Sequence, residues 1–132
     1  MIESNAFFGV ISFAVQSAGG KQEGSEAAVK LTIGGEEYHI VSEGVGPVNA
    51  LDRALRKALV PHYPGLEKFF ISDYKVKVVD SADGTEAEVG VTVIISDAER
   101  IHKAVGFSQD IIFASLVALC RVYSGAASLP AE

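Results

Sequence analysis

Three histidines, one cysteine and one glycine-rich loop are the places where this 132-residue chain could carry chemistry. No two of His39, His62 and His102 stand two or four positions apart, the spacings that bring two imidazoles to one metal from a single strand or helix. A metal site is therefore not expected. His39 and His102 read as strand residues and His62 as part of the turn Pro61-His62-Tyr63-Pro64. Cys120 sits in the apolar run Leu119-Cys120-Arg121, with no helix N-terminus nearby to favour the thiolate, and reads as a buried, inert thiol. A lone cysteine cannot close an internal bridge, so nothing points to an oxidising compartment. No Gly-x-Ser-x-Gly elbow and no Walker loop occurs. The nearest approach, Gly44-Val45-Gly46-Pro47, resembles a phosphate loop only weakly, because Pro47 lacks one of the N–H donors that such a cradle needs. No catalytic group and no cofactor is expected in this chain.

What remains is small-molecule binding. Two glycine-containing segments, Gly44–Gly46 and Gly106-Phe107-Ser108, each read as opening a helix. A helix N-terminus carries about half a unit of positive charge and unpaired N–H groups, which suit a carboxylate. The strands beside these turns offer Ile71, Val78 and Ala87, which are apolar, and Tyr74, which carries a hydroxyl. A carboxylate site beside a small apolar pocket fits an aliphatic amino acid. The plainer alternative is that Gly44 and Gly46 only permit a tight turn.

The elements that must position these residues form a repeat. Residues 7–16 are β-branched and aromatic, and 26–33 alternate with Ala27, Val29, Leu31 and Ile33 on one face. Gly34-Gly35 is a two-residue hairpin signal, and 36–41 return as a strand. Pro47 suits a first helical turn, Val48, Leu51, Leu55 and Leu59 fall at helical spacing, and Pro61 stops the helix. The second half repeats the plan. Strands are expected at 71–79, 88–95 and 100–105, with a turn at Asp83-Gly84 and a helix over 110–123 that Ser108 caps. The fold class is α+β: two pseudo-symmetric βββα units, about 6–61 and 70–124, in one domain spanning 6–124. Residues 1–5 read as a tail or linker remnant and 125–132 as a C-terminal tail. The second helix is apolar nearly all round, which predicts burial on all sides and an isologous dimer. The alternative is a helix covered wholly by its own chain.

The charge balance, 11 basic against 17 acidic residues and a net −6, opposes nucleic-acid binding, which draws its affinity from Lys and Arg. The apolar run 111–122 is too short to span a bilayer, and no secretory leader is evident, so a cytoplasmic protein is the default. An apolar content of 48% points toward surface buried against a partner.

Three motifs then carry a resemblance. Glu43-Gly44-Val45-Gly46-Pro47-Val48-Asn49-Ala50-Leu51 resembles the Gly-x-Gly-Pro-Val-(Asp/Asn)-Ala signature of the C-terminal regulatory domain of 2-isopropylmalate synthase and its relatives. Ser72-Asp73-Tyr74-Lys75-Val76 resembles the Asp-Tyr strand of that domain. Gly106-Phe107-Ser108-Gln109-Asp110-Ile111-Ile112-Phe113-Ala114-Ser115 is similar to its closing motif. The likeness runs from about residue 7 to 123, and Tyr63-Pro64 and Gly84-Thr85 make it most similar to the citramalate synthase branch.

The resemblance implies a dimer of paired βββα units that binds a branched-chain amino acid as feedback inhibitor near the dimer interface. Isoleucine is the usual effector of the citramalate branch and leucine that of the isopropylmalate branch. By motif it implies effector contacts from Gly44, Gly46, Val48 and Asn49, from Ile71, Tyr74 and Val78, from Thr85 and Ala87, and from Gln109 and Ile111. Asn49 stands where many relatives carry Asp, and Phe107 is larger than the residue often found there. The family's catalytic barrel, of about 250 residues, is not in this sequence. The resemblance implies that such a barrel, joined to this domain, condenses acetyl-CoA with a 2-oxo acid. A dimerisation domain without effector, and an amino-acid sensor acting on another partner, are the alternatives.

Overall fold

The computed structural model describes residues 1–18, 24–80 and 87–128. The chain divides into two compact units, Met1–Glu67 and Lys68–Glu132, and each is a βββα arrangement.

In the first unit a short strand β1 (Glu3–Ser4) precedes β2 (Gly9–Ala18), β3 (Gly24–Ile33), β4 (Glu36–Gly44) and helix α1 (Pro47–Leu59). The sheet is antiparallel in the order β1-β2-β3-β4. Period-two alternation places Ala27, Val29, Leu31 and Ile33 on the buried face of β3. The β3–β4 hairpin closes through Gly34 and Gly35, whose φ values of 60° and 83° are those of a primed turn that glycine adopts without strain. Helix α1 packs on β4 and β3 through Leu51, Leu55 and Leu59, with Ala50, Ala54 and Ala58 letting it come close. The Tyr63 hydroxyl donates to the Phe7 carbonyl at 2.7 Å and ties the stretch after α1 to the start of β2. Residues 1–5, expected as a tail, supply β1, in which Glu3 and Ser4 pair with Val10 and Gly9.

The second unit repeats this with β5 (Phe70–Asp80), β6 (Ala87–Ser96), β7 (Ile101–Ser108) and α2 (Ile111–Ala127). The sheet order is β5-β6-β7. The register is repeated in detail. A bulge falls between Val10 and Ser12 in β2 and between Ile71 and Asp73 in β5. Just before it, Val10 pairs with Leu31 as Ile71 pairs with Ile95. The turn expected at Asp83-Gly84 lies outside the described residues.

The junction of β7 and α2 differs from expectation. Strand β7 runs on to Ser108, so Gly106-Phe107-Ser108 is strand and does not open the helix. By register Gly106 faces Val91 as Ser42 faces Ala27, so its counterpart is Ser42 and not Gly46. Gly106 is there because α2 lies against it: a Cβ would overlap the Ala114 carbonyl oxygen and stand 2.8 Å from the Ala118 nitrogen. The cap is then Asp110, whose carboxylate accepts from the N–H groups of Ile112 and Phe113 at 2.7 and 3.3 Å. At its other end α2 continues to Ala127, beyond the expected 123.

Helix α2 packs on β7 and β6. Leu116, Leu119, Cys120 and Tyr123 are fully buried and Val117 and Val122 nearly so. Each such aliphatic side chain contributes about 1.5–3 kcal/mol relative to exposure. This burial is reached within one chain, so the all-round apolarity of α2 does not by itself demand a second copy. Among the described residues no helix is long and apolar enough to cross a membrane.

Candidate functional site

The helix-facing side of the second sheet is covered unevenly. On β6, Val91, Val93 and Ile95 are fully buried under α2. Their partners on β5, in the same rows, are Val76, Tyr74 and Ile71. The first two rows therefore begin in the core and end at an edge strand that α2 lies beside rather than over. Val76 is 43% exposed and Val78, opposite Val89, is 60% exposed. The result is an open apolar ledge along β5. It is bounded by the first turn of α2, where Ile111 is itself 41% exposed.

A hydrogen bond spans the ledge. The Tyr74 hydroxyl lies 2.8 Å from Ser115 Oγ on α2, and Ser115 Oγ donates to the Ile111 carbonyl one turn earlier at 2.7 Å. Ser115 is fully buried and Tyr74 half-buried. The two residues are far apart in the chain, so only the fold reveals their contact. The available sequence signal was a serine within the apolar first part of the helix, four residues after Ile111.

The sequence-predicted residues sort as follows. Tyr74, Val78 and Ala87 share one sheet face by alternation, Ile71 joins that face through the bulge between Ile71 and Asp73, and Gln109 and Ile111 stand where β7 gives way to α2. Thr85 lies outside the described residues. In the other unit, Gly44, Gly46, Val48 and Asn49 form the β4–α1 junction. There Asn49 Oδ1 accepts from the Val45 N–H at 3.1 Å and fastens the loop. Gly44 is required sterically, since a Cβ would meet the Ala50 nitrogen at 2.5 Å.

The two helix starts differ in what they offer an anion. Gly46 caps α1 with no side-chain bond. The first N–H groups of α2 already serve the Asp110 carboxylate, whose charge repels a second carboxylate. The start of α2 is thus already occupied by a carboxylate of its own chain, against the expectation that it would receive one from a ligand.

Elsewhere, an open groove of about 740 Å³ runs between β4 and the outer face of α1, lined by Val41, Arg53, Arg56, Lys57 and Glu67 among others, and takes in none of the predicted residues. His62 lies 3.0 Å from the Tyr38 hydroxyl, and His102 packs edge-on against Phe69 at 5.4 Å. Cys120 is buried. Among the described residues no three His, Cys, Asp or Glu side chains gather as a metal site. Asp97 accepts from the Glu99 and Arg100 N–H groups at 2.8 and 2.6 Å in the turn between β6 and β7. The bond from Glu99, then that from Arg100 and the nearby cations Arg100 and Lys68, outweigh desolvation and hold its carboxyl below the usual carboxylate range.

Fold and site together define a tandem βββα domain with an apolar ledge, crossed by the Tyr74–Ser115 hydrogen bond, in its second repeat. The chain belongs to the family described as the LeuA allosteric (dimerisation) domain, whose model matches residues 1–126. It is 46% identical over 95 residues to an (R)-citramalate synthase of Aquifex aeolicus, covering 72% of this chain and 18% of that protein. It is 41% identical over 116 residues to an (R)-citramalate synthase of Geobacter sulfurreducens, covering 86% of this chain and 22% of that protein. A 2-isopropylmalate synthase of Paracidovorax citrulli is 33% identical over 129 residues, 95% of this chain and 23% of that protein. The chain thus spans about a fifth of the length of these relatives.

Proposed function

We propose that this domain binds a branched-chain amino acid, isoleucine or leucine, and passes that signal as feedback inhibition to the catalytic barrel of a citramalate or 2-isopropylmalate synthase, an acyltransferase that condenses acetyl-CoA with a 2-oxo acid. The observation that carries the reading is the ledge on β5. Val76 and Val78 stand 43% and 60% exposed, Val76 beside the fully buried Val91 of β6, close to the Tyr74 hydroxyl that Ser115 holds. An aliphatic side chain fits such an apolar surface better than a charged one. The higher identity to citramalate synthases favours isoleucine.

The domain acts as an isologous dimer. A ligand at or near the dimer interface would report on subunit geometry, and inhibition requires only that the amino acid prefer one arrangement over another, a coupling of about 1–3 kcal/mol. Leucine and isoleucine differ in where one methyl branches, a distinction worth about 1–3 kcal/mol in an apolar site. Thermal unfolding with isoleucine, leucine, valine and alanine tests the reading. An effector at 100 times its Kd adds about 2.7 kcal/mol and raises Tm. Equal Tm in all four, in a well-folded dimer, would leave a dimerisation domain without effector.

A further inference from the structure

We infer that Ser115 fixes the Tyr74 hydroxyl as an acceptor toward the ledge, so that the site takes an ammonium group and rejects the 2-oxo acid with the same side chain. The inference rests on the proposed amino-acid site. Ser115 Oγ carries one hydrogen, and it lies 2.7 Å from the Ile111 carbonyl oxygen, which can only accept. That hydrogen is therefore committed to Ile111. The 2.8 Å contact with Tyr74 then needs its proton from the phenol, because the opposite assignment would leave two oxygens at 2.7 Å with no hydrogen between them. Having given its only hydrogen to Ser115, the Tyr74 oxygen presents nothing but a lone pair to a bound molecule.

A lone pair held in that direction bonds well to an N–H of an ammonium, a charge-assisted contact. It repels a carboxylate or keto oxygen. The amino acid and its 2-oxo acid share the same aliphatic side chain and carboxylate, so the ledge alone cannot separate them, whereas the oriented phenol can. The separation matters for a regulator of an enzyme that consumes 2-oxo acids.

The repeat argues that the pair is not there for folding. Phe13 occupies the position of Tyr74, since Phe13 pairs with Val29 as Tyr74 pairs with Val93. Leu51 occupies that of Ser115, five residues after the cap in each helix. The first unit builds the same fold with two apolar residues, and Leu51 is fully buried.

Calorimetric titration of this chain with isoleucine, leucine and their 2-oxo acids tests the inference, with melting temperature read in parallel. The native chain should prefer an amino acid over its 2-oxo acid by about tenfold or more. Ser115→Ala frees the Tyr74 hydroxyl to turn, and Tyr74→Phe removes it. Both should bring that preference close to unity, Ser115→Ala by improving the 2-oxo acid as well as weakening the amino acid. Equal affinity for the two acids in the native chain, or an unchanged preference in folded Ser115→Ala and Tyr74→Phe, overturns the inference and leaves the amino-acid site standing. A native chain that binds none of the four compounds overturns both.

Discussion

Gly106→Ala adds one methyl group at the tightest point of the second unit. The new Cβ overlaps the Ala114 carbonyl oxygen and comes within 2.8 Å of the Ala118 nitrogen and 3.0 Å of Val117 Cβ. Two of these three obstacles are helix backbone, which cannot rotate away as a side chain could. Carbon contacts are optimal at about 3.5–4.0 Å, so α2 must rise from β7 by about 1 Å. A gap of that size forfeits about a quarter to a half of each dispersion contact it opens, and Leu116, Leu119 and Tyr123 on α2 are all fully buried. Overpacking costs about 1–3 kcal/mol, and the backbone contacts place this case near the upper figure. At about 2–8 °C per kcal/mol across domain sizes, Tm should fall by roughly 10 °C. Gly65→Ala is the control, because a Cβ there meets nothing within 4 Å. It should shift stability by less than about 0.5 kcal/mol. Urea unfolding followed by circular dichroism reads both. An unchanged midpoint in Gly106→Ala would refute the close packing of α2 on β7 and the reason given for the glycine.

Asp110→Ala removes the cap of α2 and should cost about 1 kcal/mol in the same assay; no loss would mean that Ser108 can serve instead. Asp97 titrates in the folded chain below its ordinary value of 3.8, so its contribution to stability is complete above that pH and fades as pH falls through the folded value. Asp97→Ala should therefore be less stable than the native chain at neutral pH, with the gap closing toward pH 2; a constant gap across acid titration would contradict this. Val78 is 60% exposed, so Val78→Glu should leave Tm within a degree or two while weakening isoleucine binding at least about tenfold. Undiminished binding would remove Val78 from the ledge.

The architecture could be read in advance where one periodicity held over a whole element. Ala27, Val29, Leu31 and Ile33 alternate without a break, and all four are buried. Leu51, Leu55 and Leu59 recur at helical spacing and form the inner face of α1. The reading failed where one residue served a tertiary need. Gly106 looked like punctuation before a helix, but it is a strand residue kept small by the helix above it, and a single sequence does not distinguish the two roles. That error displaced the cap from Asp110 to Ser108. For the site, alternation put Tyr74 and Val78 on one face, though Ile71 joins them only through the bulge before Asp73. It did not reveal that α2 leaves β5 uncovered, because coverage depends on where the helix lies across the sheet. Nor did it join Tyr74 to Ser115, a contact between distant parts of the chain with no local pattern.

The most direct test of the account is calorimetric titration of the purified chain with isoleucine, leucine and valine, its mass in solution measured alongside. The account predicts a dimer that binds one of the first two selectively. A well-folded chain with no heat for any of the three would contradict it.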